Sequence, residues 1–264
     1  MFRIHIIDGY IESIFMAVYP DSVLLLDSGC HCDTARIETV MKRQLKRPMS
    51  QIKLAVASHT HPDHAGGAHI LKKRHNLPIA APKEINRWYA GASGSVQHAI
   101  DTMLGHYVAW TQGYPIERLW YNKRLSFDHP LHDGDTLPGF DDWRVITTPG
   151  HTGHDMVLYH EESETLYAAD VVLKVGRGYR LPFPVSMRLE MKKSLARLRD
   201  LKVSHLLMAH GGYQKIDSME PVVDALLIEV EKGYPPEMAR LKKLEYFSPV
   251  LKEYYREIKT SSTL

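Results

Sequence analysis

The chain has 264 residues, 44% hydrophobic and 24% charged, which is enough to bury a core without disulfides and too apolar for a disordered or low-complexity chain. Lys+Arg 33 against Asp+Glu 31 leaves a net charge of +2 with no block of five or more like charges, so electrostatics give no support to a nucleic-acid partner. The two cysteines, Cys30 and Cys32, are too few for a disulfide framework. Residues 1–10 lack the basic-then-apolar pattern of a secretory leader, and no apolar stretch approaches the ~20 residues of a membrane span, so a cytoplasmic location is expected.

Short apolar runs at 2–7, 14–19 and 23–27, separated by Asp8-Gly9 and Pro20-Asp21, predict antiparallel strands. Ala35, Ile37, Val40, Met41 and Leu45 recur at helical spacing behind a capping Asp33. The continuous apolar run 52–57 predicts a strand covered on both faces, and it leads directly into His59-Thr60-His61-Pro62-Asp63-His64. A helix is expected over 64–75, and more helix over 82–113, rich in Trp, Tyr and His and broken near Gly91 to Gly94. Strands are expected at 124–127, 143–148, 156–160, 165–169 and 204–209. Helices are expected at 189–201, 222–230 and 241–258. Strands then helices, twice over, predict two packed sheets with helices outside, in one domain spanning 1–264 with a helical, aromatic-rich insertion around 82–121.

The chain holds 16 histidines, and some are organised. Three imidazoles and a carboxylate fall within 59–64, where a strand ends, and two metal ions held together need six or seven donors. His151 in Pro149-Gly150-His151-Thr152, Asp170 after Ala168-Ala169 and His210 before Gly211-Gly212 each follow an apolar run and can supply the rest. Cys30-His31-Cys32 offers three donors on one extended segment that would alternate in direction, and reads as a turn. His154 is expected to partner a metal ligand, with a polar surface turn as the alternative.

In order, spacing and context, His-x-His-x-Asp-His, Pro-Gly-His-Thr, a strand-end Asp and a strand-end His resemble the metallo-β-lactamase superfamily over about residues 22–212. That resemblance implies an α+β fold, an αββα sandwich of two mixed β-sheets flanked by helices. It implies a first metal on His59, His61 and His151, a second on Asp63, His64 and His210, and Asp170 bridging both. Asp27 matches an early-strand Asp of the family and is expected to support the site without ligating. Two divalent ions are expected, zinc first, with iron and manganese open.

The implied chemistry is hydrolysis by a metal-bridging hydroxide, with Asp63 orienting it and returning a proton to the leaving group. Asp63, His64 and His210 differ from the Cys-bearing second site of the commonest class B β-lactamases, and His61 differs from the Glu of flavodiiron proteins. The His/Asp set resembles that of glyoxalase II, acyl-homoserine lactonases and tRNA-processing nucleases. An ester-type bond (lactone, thioester or ester) is the main reading. A phosphodiesterase or nuclease, or a mononuclear-iron persulfide dioxygenase, is the alternative. The Tyr that follows the bridging Asp in the lactonases is missing, since Val171-Val172-Leu173 stands there. The loop after Asp170 carries Arg177 and Tyr179, and these with Trp110 are expected to form a substrate mouth for a small, anionic molecule. The aromatic segment otherwise reads as a homodimer interface.

Overall fold

The computed structural model describes residues 1–233 and 247–261. Two six-stranded sheets face each other. The first runs in spatial order β1 (Arg3–Asp8), β2 (Ser13–Val18), β3 (Val23–Leu26), β4 (Ile52–Val56), β5 (Ile79–Pro82), β6 (His129–Leu131). The second contains β7 (Thr136–Leu137), β8 (Phe140–Thr147), β9 (Met156–His160), β10 (Thr165–Tyr167), β13 (His205–Met208) and β14 (Gly212–Lys215), ordered 14-13-10-9-8-7. A small hairpin, β11 (Leu173–Val175) with β12 (Gly178–Arg180), stands apart from both. The helices are α1 (Thr34–Thr39), α2 (Pro62–Ala65), α3 (Ala68–His75), α4 (Gly91–Thr111), α5 (Arg188–Arg199), α6 (Glu220–Lys232) and α7 (Pro249–Ser261).

The period of two along each strand explains the layers. In β3, Leu24 and Leu26 point between the sheets and meet Trp143, Val145, Leu158 and Leu207 of the opposite sheet. Val23 and Leu25 point outward, with Ile37 and Met41 of the helical segment after residue 33 and Leu71 of α3. The second sheet repeats the pattern, its outer Val157, Leu166 and Leu206 packing on Met191, Leu195 and Leu198 of α5 and Val222 and Leu226 of α6. The result is the expected αββα sandwich. No described helix is long and apolar enough to cross a membrane.

Several elements differ from expectation for local reasons. Residues 124–127 form no strand, because the Asn86 amide takes both backbone groups of Leu125 (Leu125 N–H to Oδ1 2.8 Å, Nδ2 to Leu125 C=O 3.0 Å). The strand pairing beside β5 falls instead at His129–Leu131. Asp33 does not cap the following helix. Its carboxylate accepts the Tyr10 and Cys30 N–H groups, both at 2.8 Å, and α1 ends early in a π-helical turn, Val40–Gln44. The expected helix 64–75 is two helices interrupted at Gly66-Gly67, where a Cβ would stand 2.2 Å from the Pro62 and Ser28 carbonyl oxygens respectively. Of the expected helix 241–258, residues 241–246 lie outside the described residues. The segment 83–128, which carries α4, connects β5 to its parallel neighbour β6.

Candidate metal centre

Every loop that bears a candidate ligand leaves the same end of the sandwich. His59 lies just past β4, and His61 is the residue before α2, whose first position is Pro62, as helix starts favour. Asp63 and His64 follow within that single turn. His151 sits in the 148–155 turn between β8 and β9, which Asp155 braces by accepting Thr152 N–H and Oγ1–H at 2.6 Å each. Ala169, left-handed at φ 44°, turns the chain after β10 so that Asp170 faces the cluster. His210 lies two residues past β13, and Gly211, at φ 146°, lets Lys174 approach where a Cβ would meet its side chain at 2.7 Å.

All seven residues come together in two groups, His59/His61/His151/Asp170 and Asp63/His64/His210. In the first, His61 Nδ1 lies 3.0 Å from His59 Nε2 and 2.9 Å from His151 Nε2, and Asp170 Oδ2 lies 3.8 and 3.5 Å from those two Nε2 atoms. Donors ~2.0–2.1 Å from a tetrahedral ion are separated by roughly 3.3 Å, so these spacings suit a divalent metal. In the second, His210 Nε2 is 3.1 Å and His64 Nε2 3.8 Å from Asp63 Oδ2. The other oxygen of Asp170, Oδ1, is 3.1 Å from His64 Nε2 and 3.5 Å from His210 Nε2. His64 Nε2 and Asp170 Oδ1 are buried without a satisfied hydrogen bond, a sign of donors arranged for something other than each other.

Asp27 belongs to neither donor group and is hydrogen-bonded to residues that carry them. Left-handed at φ 66°, it accepts Ser58 N–H on Oδ1 (2.5 Å). Its Oδ2 accepts Ser58 Oγ–H, His64 Nδ1–H and Tyr167 O–H, each at 2.6 Å. Ser58 Oγ in turn meets His59 Nδ1 at 3.2 Å, so one carboxylate steadies a histidine of each group.

The electrostatics divide the cluster. Burial, and then the neighbouring imidazoles, hold His59 and His61 well below the usual histidine range, in the neutral form that binds metal. Burial also opposes charge on His64 and His210, but Asp170 and Asp63 raise both above the ordinary value. Burial opposes ionisation of Asp63 as well, yet His64 and His210 bring it down to about 2, so it is a carboxylate at neutral pH.

Beside the cluster opens a cavity of about 340 Å³ walled by Ile11, Leu104, Val108, Leu173, Val175 and Phe183, with Asp63, Asp101, His151, Asp170 and His210 at its polar end. No Lys or Arg is among its described lining residues. The three expected substrate contacts stand elsewhere. Arg177 is exposed at the tip of the β11–β12 hairpin, whose register pairs Lys174 with Tyr179. Alternation therefore turns Leu173 and Val175 to the cavity, and Lys174 and Tyr179 to the other face, where the ammonium sits 5.7 Å over the Tyr179 ring. Trp110 is 71% exposed on the outer side of α4, in line with exposed Met103 and Tyr107. His154 partners no ligand. It is buried against the Trp88 ring, and burial lowers its pKa to about 3. Cys30, Cys32 and Asp33 also cluster, but the Asp33 oxygens are taken by hydrogen bonds and burial pushes the Cys30 thiol up.

One residue escaped the sequence reading. Asp101, on α4, borders the cavity with Oδ2 3.6 Å from His61 Nε2, and burial raises its carboxyl to about 6. Its sequence signal is faint: it is the one Asp, Glu, Lys or Arg in α4.

The family model described as Metallo-beta-lactamase superfamily matches residues 7–210. The chain belongs to the metallo-β-lactamase superfamily. Among curated proteins it is 22% identical over 156 residues to the probable metallo-hydrolase YflN of Bacillus subtilis (strain 168), covering 59% of this chain and 58% of that one. It is 25% identical over 149 residues to a hydroxyacylglutathione hydrolase of Rhodopseudomonas palustris (strain BisB5), covering 55% and 43%. The chain thus spans about half the length of these superfamily relatives. Among solved structures, the metallo-β-lactamase family protein TTHA1429 from Thermus thermophilus superposes with a TM-score of 0.66 at 19% identity, covering 98% of this chain and 94% of that one. TTHA1623 in a di-iron-bound form superposes at 0.58 with 18% identity, covering 84% and 98%.

Proposed function

We propose that this superfamily member is a dinuclear metal-dependent hydrolase acting on a neutral ester or lactone with an apolar acyl portion. The observation that carries the dinuclear reading is Asp170, whose Oδ2 faces the first group of histidines while Oδ1 faces the second. His59, His61, His151 and Asp170 would hold one ion, and Asp63, His64, His210 and Asp170 the other, with zinc suited to the imidazole-rich set. Two such ions supply a water acidified to near neutrality and a Lewis acid for the scissile oxygen. Asp63, ionised and at the polar end of the cavity, accepts a hydrogen bond from the attacking water through a carboxylate oxygen and passes the proton to the leaving group. The apolar wall formed by Leu104, Val108, Leu173 and Phe183 holds the acyl chain and excludes water.

The cavity chemistry shifts the substrate reading away from the anionic molecule expected from the sequence, because an anion meets no described cation on that wall. The test is a hydrolysis screen of the purified protein over acetyl and hexanoyl nitrophenyl esters, an aliphatic lactone, an anionic thioester and a bis-aryl phosphodiester, with and without chelator. Chelator-sensitive turnover that favours the hexanoyl ester or the lactone is expected. Turnover confined to the phosphodiester, or insensitive to chelator, overturns the reading.

A further inference from the structure

A histidine presents a fixed lone pair to a metal only when its other ring nitrogen is held. Four of the five histidines at the centre meet this condition within hydrogen-bond distance. His59 Nδ1 has Ser58 Oγ at 3.2 Å, His64 Nδ1 has Asp27 at 2.6 Å, His151 Nδ1 has the Pro184 carbonyl at 2.7 Å, and His210 Nδ1 has the Ile11 carbonyl at 3.1 Å. His61 is mounted the other way round, with Nδ1 toward its neighbours and Nε2 turned out. The carboxylate oxygen at 3.6 Å from that Nε2 belongs to Asp101.

We propose that Asp101 is the positioning residue for His61, accepting its Nε2–H, so that helix α4 sets the affinity of the first metal pocket. The inference rests on the reading of His59, His61, His151 and Asp170 as a metal pocket. The carboxylate is already held for the task. Tyr89 O–H donates to Oδ2 at 2.8 Å and Gln97 Nε2–H to Oδ1 at 2.9 Å, neither partner is a cation, and the Asp101 side chain is nine-tenths buried. A movement of about half an ångström brings Asp101 and His61 within hydrogen-bond distance. The same stretch of chain grips the histidine loop a second time, because Tyr121 O–H donates to the Thr60 carbonyl, one residue before His61. Tyr89, Gln97, Asp101 and Tyr121 all come from the segment between β5 and β6. That segment therefore acts on the centre through His61 as well as walling the cavity with Leu104 and Val108.

The experiment compares full-length wild type, Asp101→Ala, Asp101→Asn and Thr102→Ala at pH 8, loading zinc or cobalt against a chromophoric chelator. The His61 tautomer is read by long-range nitrogen–proton NMR of the metal-free proteins. Thr102→Ala serves as the structural control, since it removes the buried Thr102 methyl and the Thr102 Oγ1–H bond to the His98 carbonyl of the same helix without touching the Asp101 carboxylate. Asp101→Ala is expected to weaken the first ion roughly 10–100-fold, to leave the second within about threefold, and to mix the His61 tautomers. Asp101→Asn, whose amide oxygen still accepts Nε2–H, is expected to recover part of the loss, and Thr102→Ala to show none. An Asp101→Ala protein that keeps wild-type affinity in both pockets and a single His61 tautomer overturns this inference alone. So does a loss that Thr102→Ala reproduces. Wild-type protein that binds no metal overturns the dinuclear reading and this inference together.

Discussion

Asp27→Asn is the sharpest probe of how the centre is supported. The backbone there is left-handed, which Asn tolerates at least as well as Asp, so the substitution isolates the carboxylate. Four donors converge on it at 2.5 to 2.6 Å, all buried: Ser58 N–H, Ser58 Oγ–H, Tyr167 O–H and His64 Nδ1–H. An amide offers one acceptor oxygen, so in either orientation its NH₂ must face at least one of them. With the oxygen in the Oδ2 position, Ser58 N–H is left unpaired. With the NH₂ there, His64 must accept on Nδ1 and carry its proton on Nε2, the atom that faces Asp63 and Asp170. An unpaired buried donor costs ~1–3 kcal/mol and a lost charge-assisted bond ~1.5–3 kcal/mol, so a total of roughly 2.5–6 kcal/mol is expected. Urea unfolding of the metal-free proteins measures that loss, and chelator competition measures the second ion, which should weaken at least tenfold. A variant within about 0.5 kcal/mol of wild type that keeps wild-type affinity for the second ion refutes the reasoning.

Asp63→Asn, assayed at saturating metal, should lower kcat by roughly a hundredfold or more with KM little changed, because the proton acceptor is lost while the apolar wall is intact. A rise in KM alone would make Asp63 a binding residue. Val108→Trp should fill the acyl end of the cavity and remove the preference for a hexanoyl over an acetyl ester, in which each buried methylene contributes ~0.8 kcal/mol. An unchanged preference in matched assays would place the acyl chain elsewhere. His154 titrates at about 3 in the fold against an ordinary 6.5, so the unfolded chain takes the proton first and stability falls as pH drops from about 6.5 toward 3. His154→Gln removes that penalty. Its stability relative to wild type should be flat above pH 7 and improve by about 2 kcal/mol at pH 5. A difference independent of pH in urea titrations would show that His154 does not titrate this way.

The clustering of the seven donors and the two-sheet architecture follow from local patterns in the sequence, whereas the αββα arrangement and the division of the donors between two ions come from the family resemblance. Apolar runs such as 52–57 end where backbone pairing ends, and metal donors cluster at those ends. Support from Asp27 was also anticipated, but its four partners were not, since Tyr167 lies 140 positions away. Asp101 was missed for the same reason: nothing near it in the chain hints at His61, and only the return of the 83–128 connection over the cavity brings them together. The sequence alone carries no register for the hairpin after Asp170. A flexible basic loop and a two-stranded hairpin share one composition, but only the hairpin turns Tyr179 away from the cavity and carries Arg177 to an exposed tip. Residues 124–127 failed as a strand because a distant side chain, Asn86, had already taken the backbone groups a neighbouring strand would need.

Anomalous diffraction at the metal edge on crystals of the protein as purified, alongside metal analysis of the same preparation, decides whether Asp170 joins two metal pockets. Two ions per chain about 3.5–4 Å apart are expected, with Asp170 Oδ2 toward the ion of His59, His61 and His151 and Oδ1 toward the ion of Asp63, His64 and His210. A single ion among His59, His61, His151 and Asp170 in a fully active preparation, with Asp63, His64 and His210 free of metal, would contradict that arrangement.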